Sequence, residues 1–343
     1  MSNFYDTNAA TRNTILRRFS MFDGVGLDLG ECDTFDEALK SAGLDYTGKC
    51  MEMNLSGYDL TIPDHYAVVK VNDETEEPDE MPVVLGIVGN QYRPVSNRSA
   101  FEVAEEIVNE GNAKYEVGGP SRGNKNINDF GRSFLVLRGD DFEIGDDTFN
   151  SFMLFRNSFD GSSGVQYSVI CQRVVCMNGM VRFLGGRKNQ LFINIQHSES
   201  ALDRIRIANE VIRKRVSDIE LIRKEAEKFN SLGMTRADFE KKVVPFVLGE
   251  MKLVEKDKER ERGKDRIERV VGQLMQAYNA DDVQNYNSAY RAILALSDYE
   301  THAAPLRDLG NGQVYLNRIT KGMMLTTAVA NFVVDTFLPR KSL

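Results

Sequence analysis

The strongest constraint on the fold lies in the middle of the chain, where a polar, glycine-rich tract joins two β-type runs. The first run, Phe152–Arg156, is apolar until its final arginine, and the second, Val165–Cys176, opens with alternating apolar and polar residues. The tract between them, Asn157–Gly164, reads NSFDGSSG. Alternation with a period of two beside a turn-forming tract is typical of a β-hairpin. The sequence therefore predicts a hairpin with a long, polar connection over residues 152–176.

Short β-type runs continue on the N-terminal side of this hairpin, together with one clear helical pattern. That pattern repeats apolar residues at helical spacing between residues 98 and 110, and Asn97 precedes it as the expected capping residue. The predicted strands before the hairpin connection cover residues 66–71, 83–88, 114–117, 133–138 and 151–156.

The hydrophobic period changes from strand-like to helical at about residue 198. Apolar residues then recur every three or four positions from Leu202 to Phe229, which is typical of one long amphipathic helix. Capping boxes begin helices at Ser200 and Thr235, and another begins a short helix at Thr34. The predicted fold class is therefore α+β, with an antiparallel or mixed sheet, hairpins and packed helices, followed by a helical C-terminal region.

We expect three parts along the chain. Residues 1–64 are predicted to form a helical, acidic and loosely attached N-terminal segment. Residues 65–197 form the α+β sheet core, and residues 198–343 form the helical C-terminal region. A length of 343 residues is sufficient for one large domain or two ordinary ones, so the length alone does not decide between these organisations.

The charge of the chain is unevenly distributed. The formal net charge is −8, which argues against a protein that coats nucleic acid by bulk charge. Residues 156–215 nevertheless carry ten Lys and Arg against four Asp and Glu, whereas the first 155 residues are acidic. An anionic partner is therefore expected to bind at the hairpin and the helix that follows it.

The cysteines and the apolar segments favour a cytoplasmic protein. The four cysteines are interpreted as free thiols in a reducing compartment, and the first 20 residues lack the apolar core of a signal peptide. The apolar run at residues 323–338 contains Asp335 and is too short for a membrane span. We therefore expect no association with a membrane.

No catalytic, metal or cofactor motif is evident in the sequence. The three histidines are far apart, and His197 is interpreted as a capping or packing residue. Gly24, Gly26 and Gly30 do not follow a β-type run, as a dinucleotide-binding loop requires. We therefore predict no catalytic residue, no metal and no cofactor.

Cations and aromatic residues are interleaved around the predicted hairpin. Phosphates give affinity for cations, and every nucleobase has a face that stacks on an aromatic ring, so this pattern suits a sequence-tolerant single-strand binder. The competing interpretation is that the aromatic residues are core and that the arginines pair with the acidic N-terminal half. The candidate nucleic-acid-binding residues are Arg122, Lys125, Arg132, Arg156, Phe159, Tyr167, Arg173, Arg182, Arg187 and Lys188.

Two blocks of this region resemble a phage/plasmid-like protein family that is catalogued as a domain of unknown function. Asn157-Ser158 and Asp160-Gly161-Ser162 match its first block, with Phe159 where histidine is usual. The second block is matched by Arg173-Val174-Val175-Cys176 and Asn178, with Gly179 where threonine is usual. The resemblance extends over about residues 65–305 and implies a phage or plasmid origin. More loosely, it implies similarity to phage single-strand annealing proteins, whose domains assemble into rings.

The resulting hypothesis is a single-stranded DNA binding or annealing protein that acts in recombination or replication. By the resemblance, it is expected to be a homo-oligomer. Two alternatives remain open at the level of sequence. One is an enzyme that acts on nucleic acid through the turn at residues 157–162, and the other is a structural or host-interaction protein whose basic patch binds an acidic protein.

Overall fold

Two antiparallel sheets and a set of helices make up the described part of the chain. The computed structural model describes residues 22, 25–75, 77–78, 81–121, 130–144, 147–173, 178–180, 192–216, 219–252, 261–279, 287–300 and 324–337.

The larger sheet contains eight strands, and every pairing in it is antiparallel. Its main order is β1-β5-β6-β8-β9-β10, while β7 pairs with β8 and β11 pairs with β9. The strands are β1 (Leu27–Asp28), β5 (Lys114–Ser121), β6 (Arg132–Arg138), β7 (Phe142–Ile144), β8 (Asp147–Ser158), β9 (Val165–Arg173), β10 (Asn178–Met180) and β11 (Phe192–Ile195).

The smaller sheet is a three-stranded meander of β2 (Tyr46–Asn54), β3 (Thr61–Asn72) and β4 (Val84–Gly89). The helices are α1 (Phe35–Ser41), α2 (Asn97–Asn109), α3 (Ala201–Val216), α4 (Ile219–Ser231), α5 (Arg236–Asp238), α6 (Val244–Glu250), α7 (Glu261–Tyr278), α8 (Ala289–Asp298) and α9 (Met324–Phe337), with a π-helical turn Phe239–Val243 before α6. The predicted α+β class with a helical C-terminal region is therefore confirmed.

The predicted hairpin is formed by β8 and β9. Phe152 pairs with Ile170 and Arg156 pairs with Gln166, so the register runs through the two β-type runs seen in the sequence. β8 begins earlier than expected, at Asp147, because it also forms a short hairpin with β7. The last three residues predicted for the second arm, residues 174–176, lie outside the described part of the chain.

The larger sheet is buried on both faces. Leu135 and Leu137 of β6 point into the cluster that includes the smaller sheet and the helices α1, α2 and α3. Phe134 and Val136, which alternate with them, belong to a second cluster on the other face. Because successive side chains of a strand point to opposite faces, a run of apolar residues without alternation fits a strand covered on both sides.

The helices after residue 219 have a hydrophobic core of their own. Buried residues of α4, α6, α7, α8, α9 and the π-helical turn pack together there, and Phe149 and Cys171 of the larger sheet also belong to that cluster. The single long helix predicted from Leu202 to Phe229 corresponds to two helices, α3 and α4, and residues 217–218 between them lie outside the described part. No helix among the described residues is long and apolar enough to cross a membrane.

The N-terminal segment differs from the prediction. The capping box at Thr34 is present and begins α1, because Thr34 accepts from the Glu37 amide and Glu37 accepts from the Thr34 amide. The described residues are not loosely attached, since Phe35 and Leu39 are buried in the same core as the sheets. Strand β2 pairs with β3 across the predicted boundary at residue 64, so sheet formation joins the two parts.

The smaller sheet contacts the hairpin connection at Gly86 of β4. A Cβ atom at Gly86 would lie 2.5 Å from the Cα atom of Asp160 and 2.8 Å from the carbonyl oxygen of Phe159. Both contacts are with backbone, so a side chain at this position has no room unless the smaller sheet moves away from the turn. The absence of a Cβ atom at Gly86 therefore fixes how the smaller sheet packs on the hairpin connection.

We predict that Gly86→Ala lowers the free energy of unfolding by about 1–3 kcal/mol because it overpacks this contact. Urea unfolding followed by circular dichroism measures the change. Gly272→Ala in α7 is the matched control, since no atom lies within 4 Å of the added methyl group. That control is expected to be neutral or to stabilise by up to about 1 kcal/mol, because alanine favours a helix. Equal free energies of unfolding of the two variants would show that position 86 is not closely packed against the hairpin connection.

Candidate functional site

One end of the larger sheet brings together segments that are distant in sequence. Arg132 at the start of β6 pairs with Ser158 at the end of β8, and Val165 at the start of β9 pairs with Ile195 at the end of β11. The connection between β8 and β9, residues 159–164, therefore lies at the same end as the segment that follows β11. We call residues 157–164 the hairpin turn.

The carboxylate of Asp160 is the centre of the hairpin turn. Asp160 is buried, and its Oδ1 atom accepts from the Ser158 hydroxyl at 2.6 Å and the Ser162 amide at 2.9 Å. The Ser162 hydroxyl also contacts Oδ1. Burial by itself would raise the pKa of Asp160, but the hydrogen bonds from Ser158 and Ser162 and the charge of Arg132 lower it below its usual range.

Two buried arginines lie beside this carboxylate. Arg132 is 3% exposed, and its Nε atom lies 3.4 Å from Oδ2 of Asp160 and donates to the Ser162 hydroxyl at 3.1 Å. Arg156 is also buried, and burial together with the charge of Arg132 lowers its pKa to about 10, against the opposing charge of Asp160. The ionised carboxylate of Asp160 thus compensates cations that the fold removes from water.

A second set of buried polar residues ties the end of β8 to α2. The Asn157 amide donates to the Val95 carbonyl at 2.8 Å and to the Asn97 side chain at 3.1 Å. Asn97 in turn donates to the carbonyls of Leu44 and Tyr46, both at 3.1 Å. These bonds satisfy polar groups that would be costly if buried alone, and they fix the hairpin turn against α2 and β2.

An open cleft of 540 Å³ lies beside the hairpin turn. Three segments line it, namely residues 89–92 at the end of β4, residues 161–164 of the turn, and four residues from position 194 to position 198. Their side chains are amides, hydroxyls, one tyrosine and one histidine, and the glycines expose backbone groups. None of the described residues that line the cleft carries a formally charged side chain at neutral pH.

His197 lies in this cleft with its ring almost fully buried. The imidazole stacks on the Tyr92 ring with centroids 4.9 Å apart, and the Tyr92 hydroxyl donates to the Ser158 carbonyl at 2.8 Å. Neither ring nitrogen of His197 makes a hydrogen bond of normal geometry with the described residues. Burial lowers the pKa of His197 to about 4, although the Arg93 backbone and the Asp160 charge oppose this shift. The imidazole is therefore neutral at pH 7.

The structure gives the two candidate stacking residues a packing role. Phe159 is fully buried and packs against the Tyr46 ring at a centroid distance of 5.6 Å. Tyr167 is 1% exposed, and its hydroxyl donates to the Ala100 carbonyl at 2.8 Å. Neither ring presents a face to a base. The competing interpretation from the sequence, that these aromatic residues are core, describes both of them.

The structure describes the side chains of two candidate cations and the backbone of a third. Arg132 and Arg156 are buried at the hairpin turn, whereas the backbone of Arg173 lies at the far end of β9, about 26 Å along the strand from Val165. The remaining candidates, Arg122, Lys125, Arg182, Arg187 and Lys188, lie outside the described residues, as does the side chain of Arg173.

Sequence reasoning missed the pairing of Arg132 with Asp160 and the bond between Asn157 and Asn97, since the capping role predicted for Asn97 belongs to Ser96. Both are tertiary contacts, since they join positions 28 and 60 residues apart in the chain. The asparagine, aspartate and serines of the hairpin turn are evident in the sequence, but their hydrogen-bond partners elsewhere in the chain are not. His197 was interpreted as a capping or packing residue, and its stacking on Tyr92 agrees with a packing role without accounting for its ring nitrogens.

The acidic pair at Asp140 and Asp141 lies away from this site. Asp141 forms an ion pair with Arg138 at 3.3 Å on a partly exposed surface. No group of three or more potential metal-ligating side chains occurs among the residues that the structure describes.

Comparison with known proteins gives a family and no characterised relative. A family model described as "Domain of unknown function (DUF932)" matches residues 84–320, which include the whole hairpin turn and His197. No curated protein and no solved structure matches the chain.

We predict that Asp160→Ala lowers the free energy of unfolding by about 3–5 kcal/mol, because it leaves Arg132 buried without its carboxylate partner. Asp141→Ala is the matched control, since it breaks a partly exposed pair with Arg138 and is expected to cost less than about 1 kcal/mol. Urea unfolding at pH 7 measures both changes. Similar small losses in the two variants would show that Asp160 is not needed to compensate the buried cations.

A second prediction concerns acid stability. The folded-state pKa of His197 is about 4, below the value of about 6.5 in an unfolded chain, so between these values only the unfolded chain binds the proton. Stability is therefore lost as the pH falls from about 6.5 to about 4, and the contribution of His197 to this loss is about 3 kcal/mol. We expect His197→Phe to lose correspondingly less stability than the wild type between pH 7 and pH 4.5. Parallel acid profiles of the two proteins, measured by urea unfolding, would contradict this assignment.

Proposed function

The chain belongs to the family described as Domain of unknown function (DUF932), and we propose that it binds single-stranded nucleic acid. The observation that carries this proposal is the excess of cations in residues 156–215, with ten Lys and Arg against four Asp and Glu in a chain of net charge −8. Such a local excess attracts phosphates, because their neutralisation releases counterions from the nucleic acid.

The strand order supports an extended rather than a compact binding surface. Met180 and Phe192 flank Arg182, Arg187 and Lys188 in sequence, and both lie on the outer edge of β9, opposite Cys171 and Ser168. Ser121 at the end of β5 pairs with Arg132 at the start of β6, and Arg132 also pairs with Ser158 of the hairpin turn. Candidate cations that neighbour these strand ends in sequence are expected to contact successive phosphates of one strand rather than a single small anion.

The buried arginines have a different part in this proposal. Arg132 and Arg156 support the hairpin turn and do not face solvent, so phosphate contacts are assigned to the other six cations. These are Arg122, Lys125, Arg173, Arg182, Arg187 and Lys188. With Phe159 and Tyr167 in the core, affinity is expected to depend on charge more than on stacking by these two rings.

An annealing activity, a homo-oligomeric assembly and a phage or plasmid origin are the finer parts of the proposal. They rest on the resemblance of the hairpin turn and of residues 173–178 to a phage/plasmid-like family. An annealing protein holds a strand by its phosphates and leaves the base edges free to pair. Binding through cations, without stacking by Phe159 or Tyr167, is compatible with that requirement.

The geometry disfavours the carboxylate of the hairpin turn as a general base. Asp160 has a lowered pKa, and its Oδ1 atom already accepts from Ser158 and Ser162. A general base near neutral pH needs a pKa close to the working pH and access to the substrate proton. An enzyme that used this turn would therefore need a base other than Asp160.

We predict that the triple variant Arg182→Ala, Arg187→Ala, Lys188→Ala binds a labelled single-stranded oligonucleotide about tenfold or more weakly near 0.15 M salt. Its log affinity is also expected to fall less steeply with log salt, by a slope difference of about 2, since each lost phosphate contact removes about 0.7 from the slope. Fluorescence anisotropy at several salt concentrations measures both quantities.

A triple variant with the same charge change serves as the control. Lys40, Lys114 and Lys264 are exposed and lie outside residues 156–215, so their replacement by alanine is expected to leave binding within about twofold. Equal losses of affinity in the two triple variants would show that the effect depends on net charge alone and not on the positions of the cations. Absence of binding by the wild type at low salt would overturn the proposal.

A further inference from the structure

The ring nitrogens of His197 are the polar atoms that the architecture of the hairpin turn leaves unused. His197 is 7% exposed, and neither Nδ1 nor Nε2 makes a hydrogen bond of normal geometry with the described residues, although the Arg93 backbone acts on the ring. Around it, the buried side chains of Asn157, Ser158 and Asp160 all make hydrogen bonds. A buried polar group without a partner costs about 1–3 kcal/mol, so its retention needs an explanation.

The backbone and ring of His197 are nevertheless held in place. Its carbonyl accepts from the Arg93 amide at 3.3 Å, and its ring stacks on Tyr92, which is itself fixed by the bond to Ser158. A side chain that served for packing alone would not need ring nitrogens. A side chain that is preorganised, buried and unpartnered within a cleft has the properties of a ligand contact.

We propose that the cleft beside the hairpin turn is a binding site for a nucleobase, and that His197 makes a hydrogen bond to the edge of that base. The inference is separate from the strand-binding surface, because it rests on the cleft and not on the cations of residues 173–188. It names a ligand contact for His197, which neither the family match nor the charge distribution assigns.

The chemistry of the lining favours a neutral, planar ligand with both donors and acceptors. A neutral imidazole offers one donor and one acceptor, and each amide offers both. Asn90, Gln91, Asn194 and Gln196 supply four such amides around His197. Base edges present adjacent donors and acceptors, and paired hydrogen bonds from Asn or Gln are a recurrent way to read them.

Charged groups stand at the rim of the cleft rather than in it. Arg93 donates to the Asn90 carbonyl at 2.7 Å, Asp64 accepts from the Asn90 side chain at 2.8 Å, and Arg204 lies 3.5 Å from the Ser198 hydroxyl. Cations and an anion are thus both present there, which does not favour a phosphate inside the cleft. The volume of 540 Å³ is within the usual range for small-molecule sites.

The base has two possible sources with the same recognition chemistry. It is either a free nucleoside or nucleotide, or one unstacked base of a bound strand. The second source would join the cleft to the proposed strand-binding surface, because the end of β5 and the hairpin turn lie at the same end of the sheet. The first source would make the cleft an independent ligand site.

The test uses the full chain and the variant His197→Phe. Phenylalanine keeps a ring for stacking on Tyr92 but lacks both nitrogens, and these have no partner in the described protein, so folding is expected to be preserved at pH 7. Adenosine, guanosine, cytidine, uridine and thymidine are titrated separately by calorimetry, up to about 1 mM. An oligonucleotide and the same backbone without bases are titrated in parallel.

We expect at least one nucleoside, or the oligonucleotide in preference to its base-free backbone, to bind the wild type. His197→Phe is expected to weaken that binding about tenfold, which corresponds to the loss of one hydrogen bond in a desolvated site. Asn209→Leu is the control, since Asn209 is also buried with an unpartnered oxygen but does not line the cleft. That variant should bind as the wild type does.

The nucleoside and oligonucleotide titrations distinguish binding in the cleft from binding of a strand by its phosphates. Binding of a nucleoside without binding of the oligonucleotide would support the cleft and overturn the strand proposal. Equal binding of the oligonucleotide and the base-free backbone, with no nucleoside bound, would support the strand proposal and overturn the inference. Unchanged affinity in a folded His197→Phe variant would also overturn it.

Discussion

The buried ion pair between Asp160 and Arg132 is the interaction on which the rest of this site depends. Two arginines are removed from water at the end of the larger sheet, and Asp160 is the carboxylate placed between them and the hydroxyls of Ser158 and Ser162. Desolvation of such charges is expensive unless they are paired and hydrogen-bonded. The hairpin turn is therefore rigid by construction, because a change in its conformation would expose or orphan a charge.

This rigidity extends to the cleft through backbone contacts. The Ser158 carbonyl holds the Tyr92 hydroxyl, and the Tyr92 ring holds the imidazole of His197. On the other side, Gly86 lets the smaller sheet touch the backbone of Phe159 and Asp160 directly. The hairpin turn thus contacts both sheets, and its residues 161–164 line the cleft on the solvent side.

The two proposals use different parts of one architecture. The strand-binding surface follows the charge of residues 156–215 and the outer edge of β9, whereas the cleft depends on neutral polar groups at the end of the sheet. Phosphate contacts give affinity without information about bases, and base edges are read by directional hydrogen bonds. A protein with both surfaces is able to hold a strand and examine one base, which neither surface does alone.

Periodicity and local capping chemistry predicted the strands β3, β4, β5, β6, β8 and β9, whereas β2 lies in a segment that was predicted to be helical. The hairpin of β8 and β9 and the helix that begins at Thr34 follow from alternation and from a threonine–glutamate pair, which are properties of neighbouring residues. The site depended on contacts between distant residues. Whether Phe159 meets solvent or Tyr46, and whether Arg132 meets a phosphate or Asp160, is decided by which strands become neighbours. The sequence by itself determined the elements and the excess of charge. Only the tertiary structure decided which charges are buried and which polar atoms remain unpaired, because burial is a property of the packed sheets and not of any single segment.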